Sequence, residues 1–378
     1  MWSAKYFSRL DFRVAPILLA LMVISLLVIS STSYVSAPDS PEDLFFTPLV
    51  KSQLQWFAVG SCIYLFCAGF DYNKLREWAW FFYVIMILSL VGLFFTPAIH
   101  NVHRWYRIPG INFNVQPVEL AKIIVIITLS WFLERRQARA HEMGTAFWAL
   151  LLVGVPAILI LKQPDLDAAI LLYPIALVIF YFGGVHPLVL RGMSILAFIA
   201  LAIVLLFLLG VFSHAEMQPY ATKVLKNYQY ERLKPETDHQ KAAVTAIAIG
   251  GFTGVGWRSS EFTGRGWVPF PYTDSVFAAY GEEFGFVGMV VLIALYYALL
   301  YFSFQVAAVA KDHFGRMLAA GLTVYLAVHV LVNMSMMCGL LPITGIPLLF
   351  VTYGGSSVVS AMAALGILQS IYTRRFMF

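Results

Sequence analysis

Charged residues are scarce in this chain: Asp, Glu, Lys and Arg make up 12% of its 378 residues, against roughly 25% in a soluble domain. That shortage excludes a water-soluble globule. Hydrophobic residues account for 60%, and mean hydropathy is +0.79. Cysteine is also rare. Cys62, Cys67 and Cys338 are odd in number, lack C-x-x-C spacing and lie in or beside apolar runs, so they indicate neither a disulfide framework nor a thiolate metal site. No P-loop occurs, which argues against a nucleotide-driven machine. The net charge of +5 is what Lys and Arg on cytoplasmic loops would give, so nucleic acid is not called for. Short repeats and similarity between the two halves, the marks of solenoids and many transporters, are missing too.

What the chain has instead is a series of apolar runs at roughly 14–32, 53–70, 78–97, 118–133, 145–161, 166–184, 192–212, 284–307, 317–338 and 349–371. Runs near twenty residues, at ~1.5 Å per residue, cross a ~30 Å hydrocarbon core as helices and not as a barrel. The expected fold is therefore an all-α polytopic membrane protein of about ten transmembrane helices, one domain over 1–378. Lys5, Arg9 and Arg13 before the first run, with "YVSAPD" after it, resemble a signal peptide. Pro38 beside Ala37 and the length of the run favour an uncleaved first helix. The connections "DYNKLRE", "ERRQARAHEM", "GVHPLVLRG" and "AKDHFGR", with both termini, hold thirteen Lys/Arg, whereas the opposite short loops hold Lys51, Arg104, Arg107 and Lys162. By the positive-inside rule both termini are cytoplasmic. One large extracytoplasmic loop, about 213–275, separates the seventh and eighth runs, and a loop of that length marks the working part of the molecule.

Several polar residues sit where lipid is expected. Lys122, with Glu119 three residues earlier on nearly the same helical face, is either half of a self-satisfied pair or a cation facing a cavity. Segment 100–117, with Arg104, Trp105 and the breakers Pro109 and Gly110, reads as interfacial, much like an ordinary aromatic belt. Asp165 and Asp167 follow Pro164 near a helix start, where carboxylates cap; two residues apart, they are expected to face different ways. Glycines 250, 251, 254 and 256 suggest tight turns or close backbone approach to a ligand or lipid. In "GLLPITGIPLLFVTYGGSS" (339–357) broken backbone at membrane depth predicts a re-entrant hairpin beneath an outer cavity. Asp274 can start a helix, with Glu282 within ~80° of the same face and Glu283 turned elsewhere; simple capping is the plain alternative.

Four of these stretches, "RWYRIPGINFNVQPVELAK", "KQPDLDAAIL", "YTDSVFAAYGEEFGFVG" and "GLLPITGIPLLFVTYGGSS", stand in this order across most of the chain. Together they resemble the SEDS family of bacterial cell-wall polymerases (shape, elongation, division and sporulation proteins), its rod-shape branch above all. The resemblance implies a peptidoglycan glycosyltransferase of the bacterial inner membrane that polymerises lipid II during elongation. It implies a class B penicillin-binding protein as transpeptidase partner, with other elongation machinery and membrane lipid around it. It places the essential acid at Asp274, as general base, and substrate-binding residues at Arg104, Trp105, Glu119, Lys122, Asp165 and Glu282. No organic cofactor is implied, though a divalent cation, Mg or Mn, could serve the leaving pyrophosphate. Departures from the family pattern include Ser275 for Phe, Leu348 for Pro and Thr352 for Ser. A lipid II flippase, a division-type member and a non-catalytic scaffold are the rival readings.

Overall fold

The computed structural model describes residues 9–33, 45–97, 104–108, 113–208 and 237–375. In chain order these form α1 (Val14–Thr32), α2 (Pro48–Gly69), α3 (Asn73–Gly92), β1 (Tyr106–Ile108), β2 (Phe113–Val115), α4 (Pro117–Arg135), α5 (Met143–Lys162), α6 (Leu166–Phe182), α7 (Pro187–Leu208), α8 (Asp238–Gly250), α9 (Glu261–Gly264), α10 (Val276–Val309), α11 (His313–Met337) and α12 (Gly355–Thr373). Seven of the helices are long and apolar enough to cross a membrane. The molecule is a multi-pass helical membrane protein.

Local chemistry sets where helices begin. Thr47 caps α2, accepting from the Val50 N–H at 3.3 Å, with Pro48 in the first turn. Asp165 caps α6 from Ala168, Thr237 caps α8 from Gln240, and Asp312 caps α11 from Gly315. Each side chain satisfies an N–H that the helix itself leaves open. The buried centre consists of α4, α11 and α12, which are buried around much of their circumference. At the periphery, α7 is buried nowhere along its apolar window and presents its side chains outward, as a lipid-facing helix does.

The chain runs back and forth between two ends. At one end the Asp11 N–H donates to Gln369 Oε1 at 2.9 Å, and Arg374 donates to the Gly69 carbonyl at 2.9 Å, so α1 starts where α12 finishes. Arg76 joins Glu134 at 3.0 Å and Asp312 at 2.6 Å there. At the opposite end α2, α4, α6, α10 and α12 begin, and this is where the polar residues gather.

The structure refines several expectations. The eighth apolar run, placed from 284, starts at Val276 and is broken at Gly285, whose φ of 62° only glycine adopts easily. The glycine-rich stretch after α8 repairs the break. Val255 and Gly256 donate to the carbonyls of Glu282 and Glu283, while Phe286 and Val287 donate to Gly251 and Phe252, all at 2.9–3.1 Å. The close approach foreseen for these glycines is thus to the chain's own backbone. A Cβ on Gly254 would lie 2.1 Å from the Glu283 carbonyl oxygen. Within 100–117, the described residues form an antiparallel ribbon, Tyr106 opposite Val115 and Ile108 opposite Phe113; Pro109 and Gly110 lie outside the described residues. The large loop keeps helices α8 and α9 in its second half, and 213–236 also lies outside the described residues.

Candidate active site

A cavity of about 580 Å³ opens at the end where α2, α4, α6, α10 and α12 begin. Arg104, Trp105, Glu119, Lys122, Asp165, Asp167 and Asp274 line it together with His329 and segment 344–357. The volume lies within the ~300–1,000 Å³ of sites for small ligands.

Lys122 lies one turn into α4, only 1% exposed. Its ammonium stands 2.9 Å from Glu119 Oε1 and 2.9 Å from His329 Nε2, and 5.4 Å over the Tyr325 ring. His329 Nδ1 lies 3.4 Å from the Pro347 carbonyl. A carbonyl can only accept, so Nδ1 carries the proton and Nε2 accepts from lysine. Glu119 takes a further hydrogen bond from Ser360 Oγ at 3.4 Å.

Arg104 forms the second cationic station. Its guanidinium donates to the carbonyls of Gln163 and Pro164 and lies 3.7 Å from Asp165 Oδ2. Asp165 is the cap of α6, with φ −107° and ψ 74°. Because it stands outside the helix, the rule that residues two apart diverge does not hold, and Asp165 and Asp167 both reach the cavity. That overturns the expectation of different faces.

Asp274 is half-buried in the turn before α10. Asn333 fixes it by donating to the Asp274 carbonyl at 3.1 Å and to the Ile346 carbonyl at 2.7 Å. Thr352 Oγ1 donates to the Thr273 carbonyl at 3.1 Å, and Tyr353 N–H to the Tyr272 carbonyl at 2.9 Å. The broken segment after α11 is therefore stitched to the turn that carries the acid. Leu348 N–H donates to Thr352 Oγ1 at 2.9 Å; a proline there has no N–H to give, so these two departures from the family pattern fit each other. On the far side Ser275 Oγ donates to the Pro269 carbonyl at 2.8 Å and meets His239 Nε2 at 2.6 Å. Burial lowers the His239 pKa from its usual 6.5, though the Pro269 carbonyl opposes this.

Glu282 stands apart. Fully buried, it accepts from the N–H groups of Phe262 and Thr263 at 2.9 and 3.0 Å and from Thr263 Oγ1 at 2.5 Å. It caps α9 and borders a separate cavity of about 390 Å³. The residues that the sequence reading missed are His329, Asn333 and Asp167. The signal for the first two was present: Tyr325, His329 and Asn333 recur every fourth residue on α11, one face of an otherwise apolar helix.

In this cavity four carboxylates accompany two cations, and each cation already faces an acid. An anionic ligand would meet Lys122 and Arg104 in competition with Glu119 and Asp165. Among the described residues no three His, Cys, Asp or Glu side chains converge to hold a metal ion.

A family model of cell cycle proteins, FtsW/RodA/SpoVE, matches residues 12–376. The chain belongs to the FtsW/RodA/SpoVE family. Its relatives in this family include peptidoglycan glycosyltransferase MrdB of Escherichia coli K12, 33% identical over 98% of this chain and 95% of that protein. A probable peptidoglycan glycosyltransferase FtsW of Trichlorobacter lovleyi is 30% identical over 96% and 95%. Among solved structures, a chain of a peptidoglycan synthase complex that coordinates polymerization and crosslinking superposes with TM-score 0.76 and 25% identity, covering 98% of this chain and 99% of that one. Rod shape determining protein RodA of Thermus thermophilus gives 0.69 at 23% identity over 98% of each chain, a likeness of fold. The FtsW/RodA/SpoVE architecture thus extends over nearly the whole chain.

Proposed function

We propose that this chain is a peptidoglycan glycosyltransferase that joins lipid II units on the outer face of the bacterial cytoplasmic membrane, with Asp274 as general base. The observation that supports it most is a single cavity bringing Asp274 to the Lys122–Glu119 and Arg104–Asp165 stations at the helix ends opposite the basic loops. A sugar hydroxyl of one lipid II attacks the anomeric carbon of a lipid-pyrophosphate-linked glycan. As the new C–O bond forms, the bond to the pyrophosphate breaks and its electron pair leaves with that group. The hydroxyl proton passes to the Asp274 carboxylate. Lys122 and Arg104 stabilise the growing negative charge from positions fixed beforehand.

Glu119 and His329 hold the Lys122 ammonium, and Asn333 holds the turn of Asp274. Trp105 and Asp165 border the substrate. Glu282, which lies outside the cavity, serves the loop and not the sugar. We assign the chain to the elongation branch, following its higher identity to MrdB, with a class B penicillin-binding protein as partner, as the synthase complex suggests. The basic loops support a cytoplasmic position for both termini.

The test is glycan-strand synthesis by the purified full chain with its partner and lipid II. Asp274→Asn is expected to abolish strands while expression and partner binding persist. Strands made by that variant at the wild-type rate would refute the base. Wild type that makes none, yet carries labelled lipid II across vesicles, would establish a flippase instead.

A further inference from the structure

At the other end of α4 from Lys122, a groove of about 900 Å³ lies between α3, α4 and α5. Its walls are apolar, with Trp80, Trp131 and Trp148 among them, and its rim carries Glu77, Arg135 and Arg136. The lining on α3 runs from Glu77 to Leu88. At 1.5 Å per residue that is about 16 Å, close to half of a ~30 Å hydrocarbon core. A transmembrane helix from another protein would need a groove through both leaflets; this one matches the depth of one.

The rim is unbalanced in charge. Glu77 is paired with Lys74 at 2.8 Å, and Glu134 and Asp312 with Arg76 at 3.0 and 2.6 Å. Among the described residues Arg135 and Arg136 form no ion pair. Both are exposed, their guanidinium groups lying 5.5 Å over the Trp131 ring and 5.1 Å over the Phe132 ring, two walls of the groove. Two planar forks of N–H donors thus stand at the mouth of an apolar channel one leaflet deep, at the end bearing the basic loops.

We propose that this groove binds one anionic phospholipid of the leaflet at that end, its phosphate on Arg135 and Arg136 and its acyl chains along α3 and α5. A zwitterionic lipid brings its own cation to a rim already in positive excess and is disfavoured. Tryptophans at the mouth and along the wall suit the passage from headgroup to chain.

Those tryptophans provide the measurement. The full chain is reconstituted in phosphatidylcholine vesicles, and tryptophan emission is followed as dibrominated phosphatidylglycerol is added. The expected result is quenching that saturates at a low mole fraction and is reversed by unbrominated phosphatidylglycerol. Arg135→Gln with Arg136→Gln should raise the half-saturating fraction about tenfold or more, at unchanged helical circular dichroism, whereas Arg191→Gln away from the groove should not. Quenching in simple proportion to bulk lipid, or equal quenching by dibrominated phosphatidylcholine, overturns the proposal on the wild-type protein alone. A saturating response unchanged in the double arginine variant overturns it as well.

Discussion

Replacing Lys122 by methionine removes a charge from a site that water barely reaches, and the structure indicates how large the consequence should be. The ammonium is 1% exposed and Glu119 is 5% exposed. With the lysine gone, the Glu119 carboxylate keeps, among the described residues, the hydrogen bond from Ser360 Oγ at 3.4 Å, so an uncompensated buried charge is left. Breaking such a pair from one side costs roughly 3–5 kcal/mol, much of the ~5–15 kcal/mol that holds a domain together. Lys122→Met alone should therefore lower the thermal unfolding midpoint of the purified chain sharply. Adding Glu119→Gln removes the orphaned charge, and most of the lost stability should return, a coupling of about 2–3 kcal/mol in the double-mutant cycle. Catalysis should not return with it. If Lys122 stabilises the departing pyrophosphate, both variants should polymerise lipid II about 10²-fold or more slowly per folded molecule. Recovery of both stability and polymerisation in the double variant would refute the reasoning and leave the pair as a structural device only.

Asn333→Leu should slow polymerisation about tenfold or more with a loss of roughly 1–3 kcal/mol, because two carbonyls, of Asp274 and Ile346, lose their donor; a rate unchanged at full folding would remove Asn333 from the positioning of the acid. Gly345 has φ +86°, and a Cβ there would sit 3.5 Å from Asp274 Oδ2, so Gly345→Ala should strain the backbone by about 1–3 kcal/mol and lower kcat more than it raises KM. The His239 pKa lies below its usual 6.5 because of burial. Between 6.5 and the lowered value the unfolded chain binds more protons than the folded one, so stability is full above 6.5 and falls as pH drops through that window. His239→Gln should flatten this acid slope in thermal denaturation measured from pH 7.5 down to about 5.

Hydropathy made the long helices legible because each must bury or lipid-solvate some twenty side chains, and that requirement is written along the chain. The break at Gly285 was not legible. Nothing in the local pattern distinguishes a glycine that ends a helix from one that packs, and the hydrogen bonds that make the break tolerable come from residues 251–256, remote in sequence. The same reason explains Glu282. Helical spacing put it near the face of Asp274 and the resemblance put it with the substrate, yet it accepts from the N–H groups of Phe262 and Thr263, brought to it from a separate stretch of the loop.

The candidate site divides along the same line. Lys122, Arg104 and Asp274 stand out because each is a charge in or beside apolar sequence, and an isolated charge there demands a partner. Which partner it finds is a tertiary fact. For Lys122 the sequence offered Glu119, and the structure adds His329 from a helix some two hundred residues on, at 2.9 Å. That addition changes the geometry: the Lys122 amine is held from two sides, by the carboxylate of its own helix and by an imidazole from α11, and so is fixed in the cavity wall. A lysine held by Glu119 alone would have more freedom to turn toward its carboxylate and away from a phosphate. Substituting His329→Leu should therefore weaken polymerisation while the Lys122–Glu119 contact persists. A His329→Leu variant that retains the full polymerisation rate would show that the closed pair suffices.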